Sequence, residues 1–279
     1  MKRIKNIRTI FILLAMLLSY GATAMAQAKE LVKMTTSGSS VKITAKWTGS
    51  GYLYAKDGAF SISNNVETTI SITGAFNLVA LGDVTLTELS CSNNQLTVLD
   101  VTKCPELTLL YCSRNNLTSL TVSTCTALKE LSCYRNLLTT LDVSKCTKLE
   151  LLQCGENQLT AVDVTACTPL KTLNLEDSPK LEAVRCQNLN LTTLRLSGCK
   201  VLTLLYCNGN KLTSLDVSSL AMLRTLSCGS NLFTSLNVSG CTILKELYCT
   251  YSKLTSFTRI GLYLETLAQI GRASCRERV

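Results

Sequence analysis

From Leu86 onward, apolar residues recur on a fixed 21-residue frame. Each copy reads Leu-x-x-Leu-x-Cys-x-x-Asn-x, then Leu-Thr-x-Leu-Asp-Val and a polar turn. Seven full copies begin at Leu86, Leu107, Leu128, Leu149, Leu181, Leu202 and Leu223, an eighth begins at Leu244, and LETL (264–267) starts one more. In the first half of a copy, positions 3 to 7 alternate outward and inward. That alternation predicts a short strand whose inward residues, such as Leu89 and Cys91, face a core. In the second half Leu99 and Val101 alternate inward again. A segment so rich in Thr, Val and Ser makes a poor helix, so this side is predicted to be extended or 3-10-like. One copy cannot bury its own apolar face, so the copies must stack into a solenoid.

Two stretches break the frame. Residues 170–180, LKTLNLEDSPK, keep the Leu rhythm but lack Cys and the Asn. An odd half-copy of this kind is expected either to bulge on the convex side, the preferred reading, or to change the solenoid's curvature; a functional insertion that decorates a binding surface is a further reading. Residues 27–85 contain VKITAKWTGSGYLYAKDG and VETTISITG, which alternate in strand fashion between Gly-rich turns. Solenoid ends expose an apolar core, so this segment is read as a small β-rich N-terminal cap that merges into the repeats of 86–268.

The two ends stand outside the pattern. Residues 1–26 combine Lys2, Arg3, Lys5 and Arg8 with an apolar run and Ala24-Met25-Ala26, which predicts a signal peptide cut after Ala26. The apolar run falls short of the ~20 residues that span a bilayer, so no membrane insertion is expected after cleavage. The last residues, 269–279, read QIGRASCRERV and match the translation of a sequencing adapter. They are taken as non-native, which implies that the natural C-terminus is missing. Charge then changes meaning. The chain's formal +9 includes +4 in the leader and +2 in the tail, leaving +3 from 21 basic and 18 acidic side chains. Such a balance shows no basic patch, and no nucleic-acid partner is expected.

The opening LxxLxCxxNxL of each copy resembles the leucine-rich repeat. The 21-residue period, the strand Cys and the LDVS segment together look most like the internalin J group of bacterial surface proteins, over residues 86–268. The resemblance implies a β-rich leucine-rich repeat solenoid, with short parallel strands on a concave face and an extended convex side. It also implies an asparagine ladder. Asn94, Asn115, Asn136, Asn157, Asn210 and Asn231 sit where the chain leaves each strand, placed to bond backbone groups of the turn. These residues are therefore read as structural. The sequence departs from the group at position 19, where Cys104, Cys125, Cys146, Cys167, Cys199 and Cys241 stand and the group more often has Asn.

Cys91, Cys112, Cys133, Cys154, Cys186, Cys207, Cys228 and Cys249 fill the Leu-like position 6. An exported chain with an even number of cysteines suggests a disulfide framework. Two ladders of buried thiols are the preferred arrangement, because free Cys packs as a small hydrophobe and stacked parallel side chains seldom offer disulfide geometry. There is no histidine and no CxxC, so no metal site and no imidazole catalysis is expected. No cofactor and no enzymatic activity are expected either, since no convergent acid–base pair or phosphate loop occurs.

Function is expected on the outward strand positions. Position 5 carries Ser90, Tyr111, Ser132, Gln153, Asn174, Arg185, Tyr206, Ser227 and Tyr248, and positions 7 and 8 add Arg114, Tyr134, Arg135, Glu156, Glu176, Asp177 and Tyr251. Tyr and Arg favour recognition hot spots, although Tyr also suits an ordinary strand surface. Tyr111, Tyr134, Arg135, Arg185, Tyr206, Tyr248 and Tyr251 are the candidate ligand-binding residues, expected to share one concave face. The family resemblance implies a secreted or cell-surface adhesion protein that binds a protein or glycan on host or neighbouring cells, here as a monomer. The alternative is the recognition module of a larger enzyme or multidomain surface protein.

Overall fold

The computed structural model describes residues 29–55, 60–71, 74–251, 254 and 256–258. The predicted leader, the LETL copy and the 269–279 tail lie outside them. Each copy builds one turn of a β-solenoid, and the described residues contain no helix. The first-half strands Leu109–Tyr111, Glu130–Ser132 and Leu151–Gln153 pair in parallel, each residue opposite its equivalent one repeat on. The second halves stack in the same way. Asn116 N–H donates to Leu96 carbonyl (2.8 Å), Leu137 to Leu117 (2.9 Å) and Gln158 to Leu138 (2.9 Å). This is the leucine-rich repeat solenoid expected, with an extended rather than helical second side.

Packing explains the frame. Leu107, Leu110 and Cys112 point inward from one side, and Leu117, Leu120 and Val122 from the other, all buried in one continuous core. Burying a Leu or Val contributes about 1.5–3 kcal/mol each. A single turn gathers too few such residues to offset its backbone entropy, so the copies are stable only as a stack.

Two side-chain ladders satisfy the turns. The Asn136 amide donates to the carbonyls of Cys112 (3.1 Å) and Cys133 (3.0 Å), while its oxygen accepts from Leu117 N–H (3.0 Å). Asn115, Asn157, Asn210 and Asn231 likewise donate to the carbonyl twenty-four residues back and to that of their own strand Cys. The position-19 cysteines copy this duty. Cys125 donates its S–H to Val101 carbonyl (3.5 Å), Cys146 to Val122 (3.6 Å), Cys167 to Val143 (3.6 Å), Cys199 to Leu175 (3.1 Å) and Cys241 to Val217 (3.3 Å), again twenty-four residues back. All fourteen described cysteines are free and buried, in thiol ladders and not disulfides.

Residues 29–81 add antiparallel strands to both sides of the first turn. Strand Val41–Thr48 pairs with Thr85–Ser90 on the first-half side, and Lys29–Thr36 pairs with Leu96–Asp100 on the second. The cap also ends the asparagine ladder. Lys42 N–H donates to Asn94 Oδ1 (2.7 Å), and Asn94 Nδ2 donates to Lys42 carbonyl (2.6 Å).

The expectation of a bulge at 170–180 is corrected. Thr172–Asn174 is a regular rung, paired in parallel with Leu151–Gln153 before it and Thr193–Arg195 after it. The eleven residues supply one side of one turn. Leu170, Leu173 and Leu175 fill the core, and Ser178 is fully buried. Every later half-copy is thereby displaced to the other side. First-half strand Ala183–Arg185 stacks on second-half strand Ala161–Asp163, and second-half strand Thr193–Arg195 continues the original first-half column.

Candidate recognition surface

A parallel rung points alternate side chains outward, and register aligns them into columns at ~4.8 Å per rung. On the first side one column runs Ser90, Tyr111, Ser132, Gln153, Asn174 and Arg195. On the second side another runs Asp163, Arg185, Tyr206, Ser227 and Tyr248. The candidate residues therefore do not share one face. Tyr111, Tyr134 and Arg135 belong to the first side. Arg185, Tyr206, Tyr248 and Tyr251 belong to the second. The core lies between them, so the single concave face expected from sequence is split by the half-copy at 170–180.

The two groups differ in what holds them. On the first side the polar groups are largely engaged with each other. Tyr111 hydroxyl donates to Glu130, and Tyr134 hydroxyl donates to Glu156. Arg135 also approaches Glu156 (3.5 Å), Arg195 approaches Glu176 (3.9 Å), and Lys171 meets Glu150 at 2.5 Å. Ser113, Ser132 and Gln153 form a further chain of bonds at 2.7 and 2.9 Å. Burial first, and then the Glu130 carboxylate, push the Tyr111 hydroxyl up to about 12. The Glu156 bond and then burial raise Tyr134. Both phenols stay neutral donors at ordinary pH.

On the second side no side-chain partner among the described residues holds Arg185, Tyr206, Tyr248 or Tyr251. Tyr206 and Tyr248 are half-buried, with the smaller Ser227 between them in the same column. Ser227 hydroxyl donates to Asn208 (3.0 Å), and Thr225 donates to Glu246 (3.1 Å). Tyr251 is 89% exposed and adopts φ 55°. That conformation is costly for a bulky residue, but it belongs to the repeat. Arg114, Arg135, Glu156, Asp177, Asn188 and Ser230 occupy it at equivalent turns.

Sequence reasoning missed the outward second-half residues. A shallow open groove lies on that side, lined by Thr139, Leu141, Asp142, Thr160, Ala161 and Asp163 among others. Asp142 accepts from Ser144 N–H (2.8 Å), and Asp163 accepts from the N–H (3.0 Å) and hydroxyl (2.7 Å) of Thr165. The recurring Asp-Val-Ser/Thr is the signal for these turns. Their carboxylates are committed to the local backbone, and Asp142 is held below its ordinary value by the Ser144 bonds. The described residues contain no cluster of three or more metal-ligating side chains.

Comparison with solved structures finds leucine-rich repeat proteins that align over about three fifths of this chain. The functional domain of InlJ from Listeria monocytogenes, which includes a cysteine ladder, matches at 28% identity over 64% of this chain and 56% of its own, TM-score 0.29. The leucine-rich repeat protein LIC12759 from Leptospira interrogans matches at 26% identity over 62% of this chain and 54% of its own, TM-score 0.32. YopM, a leucine-rich effector from Yersinia pestis, matches at 24% identity over 61% and 51%, TM-score 0.29. The chain spans about half the length of these three structures. No protein-family model and no curated protein matches it.

Proposed function

We propose that the chain is an exported, non-catalytic recognition protein that holds a protein partner on the second-side column of Arg185, Tyr206 and Tyr248, with Tyr251 beside it. One observation supports this most. These Tyr and Arg side chains stand on a rigid ladder without partners among the described residues, whereas Tyr111 and Tyr134 are tied to carboxylates. Rigid Tyr rings give contact area at low entropic cost, and an unpaired Arg offers a planar donor. The leader-like N-terminus favours action outside the cytoplasm, at or beyond the cell surface, where adhesion to host or neighbouring cells is the role that fits. The experiment measures binding of purified protein to cultured epithelial cells before and after surface protease or glycosidase treatment. Binding should be lost on protease treatment and should drop at least tenfold in a variant carrying Arg185→Ala, Tyr206→Ala, Tyr248→Ala and Tyr251→Ala. Unchanged binding by that folded variant would end the assignment. Loss on glycosidase treatment alone would replace a protein partner by a glycan.

A further inference from the structure

We propose that residues 170–180 act as a face switch: a free-standing half-turn that makes one run of repeats display its outward column on two opposite sides. The two halves of a copy can trade places because they offer the core the same things. Position 4 is Leu110 in one half, and its counterpart in the other is Leu120; position 6 is Cys112, and its counterpart is Val122; all four are buried. Each half also ends in a buried donor that reaches the carbonyl twenty-four residues back, an Asn in the first half and a Cys in the second. A side of the solenoid therefore does not distinguish which half fills it.

The switch shows this exchange rung by rung. On the first side the inward column runs Cys133, Cys154 and then Leu175, with Cys154 N–H donating to Asn174 carbonyl (3.0 Å) and Leu175 N–H to Arg195 carbonyl (3.0 Å). On the second it runs Val143, Val164 and then Cys186, with Val164 N–H donating to Arg185 carbonyl (2.9 Å) and Cys186 N–H to Tyr206 carbonyl (2.8 Å). The ladder donors change sides with them. Cys199 takes up the column that Asn157 leaves, one rung after Ser178. The left-handed turn travels with the first half and not with the side: Arg135 (φ 56°) and Glu156 (φ 45°) adopt it on the first side, and Asn188 (φ 57°) and Ser230 (φ 53°) carry it to the second.

An odd number of halves is the whole cause of the displacement, so removing one half restores a single face. The consequence for recognition rests on the function proposed above: the half-turn places the Arg185, Tyr206 and Tyr248 column on the side opposite the self-paired Tyr111–Gln153 column. The test reads geometry alone, so either proposal can fail without the other. Glu150 and Glu182 hold the same position in successive copies, yet Glu150 meets Lys171 at 2.5 Å while Glu182 N–H bonds Thr160 carbonyl at 2.8 Å on the other side. A zero-length carbodiimide cross-link, read by peptide mass spectrometry, should join Glu150 to Lys171 in the full chain. In full-length Glu182→Lys it should not join Glu150 to position 182. In the same variant with 170–180 excised, Glu150 and position 182 become adjacent rungs and should cross-link. A third variant, Glu182→Lys with 170–180 replaced by the second-half sequence LTVLDVTKCPE of 96–106, should fold and, like the full-length variant, should not join Glu150 to position 182. A Glu150–182 cross-link in the full-length variant overturns the proposal. So does its absence in the excised chain, or failure of both altered chains to fold.

Discussion

At the residue scale the fold turns on small polar donors buried beside carbonyls. Asn136 is 4% exposed and serves three backbone groups. Asn136→Ala would strand at least two buried carbonyl or amide groups, each costing about 1–3 kcal/mol. Chemical denaturation should show a loss of about 3 kcal/mol, and a loss under 1 would mean that water replaces the amide. Composition and spacing made the Asn role readable, because Asn recurs where each strand ends. The second cysteine was less readable. Sequence identifies a buried small residue, but the donation to a carbonyl twenty-four residues back appears only once the rungs are stacked. Leu220 stands in that ladder without a thiol, still fully buried, and its turn keeps the Leu220 N–H to Val217 carbonyl bond (3.1 Å). The turn at that rung therefore forms without a thiol donor.

The strand thiols of the other ladder set an alkaline limit. Burial pushes Cys91, Cys133 and Cys186 from the ordinary 9.0 up to about 12, and raises Cys112, Cys154, Cys207 and Cys228 well above it. Above pH 9 the unfolded chain releases these protons while the folded chain keeps them. Stability is therefore full below the unfolded value and falls as pH rises through the window toward 12, by about 1.4 kcal/mol per pH unit for each such thiol. Urea midpoints taken at pH 8, 9 and 10 under reductant should drop steeply past 9. A flat profile would mean that the ladders are open to water.

At the element scale, the half-turn and not the strand is the unit. The sequence makes the eleven extra residues visible but not their place, because a bulge and a rung have the same length and much the same Leu spacing. The missed signal is that LKTLNLEDSPK aligns with LTVLDVTKCPE of 96–106: Ser178 stands for Cys104 and Pro179 for Pro105. Ser178 is the imperfect member. It is fully buried, and its hydroxyl is without a partner among the described residues. A thiol at this position would have Cys154 carbonyl, twenty-four residues back, as its acceptor, and the longer C–S bond brings the donor nearer. Ser178→Cys should stabilise the chain by about 1 kcal/mol, since satisfying a buried orphan group recovers part of its desolvation penalty. A higher denaturation midpoint with unchanged slope is the expected reading. A lower midpoint would show that the site has no room for sulfur.

At the scale of the whole molecule, the solenoid and its cap were legible in outline and the placement of the candidate site was not. Outwardness follows from alternation, so Tyr206 and Tyr248 could be identified as surface residues from sequence. Which side they face depends on counting halves across the switch, a long-range property that no local pattern carries. The cap poses the complementary question of how a repeat stack is joined to something that is not a repeat. It does so by imitation. Lys42 supplies the N–H and carbonyl that a preceding turn would have offered to Asn94, and Leu31 carbonyl accepts the Cys104 thiol (3.4 Å) as the earlier rung would have done. Thr36 hydroxyl adds a bond to Asn94 carbonyl (2.8 Å). In a stack coupled only through nearest neighbours, the cap protects the first turn, and the first turn passes that protection on. Asn94→Ala removes both bonds to Lys42 and should cost about 2 kcal/mol at the junction. Native-state hydrogen exchange locates the loss. Amides of 86–101 should exchange faster relative to those of 128–143, while the latter keep most of their protection. Uniform loss along the chain would mean that cap and repeats unfold as one unit, and no loss would mean that the strand pairings of Val41–Thr48 and Lys29–Thr36 hold the junction without the asparagine.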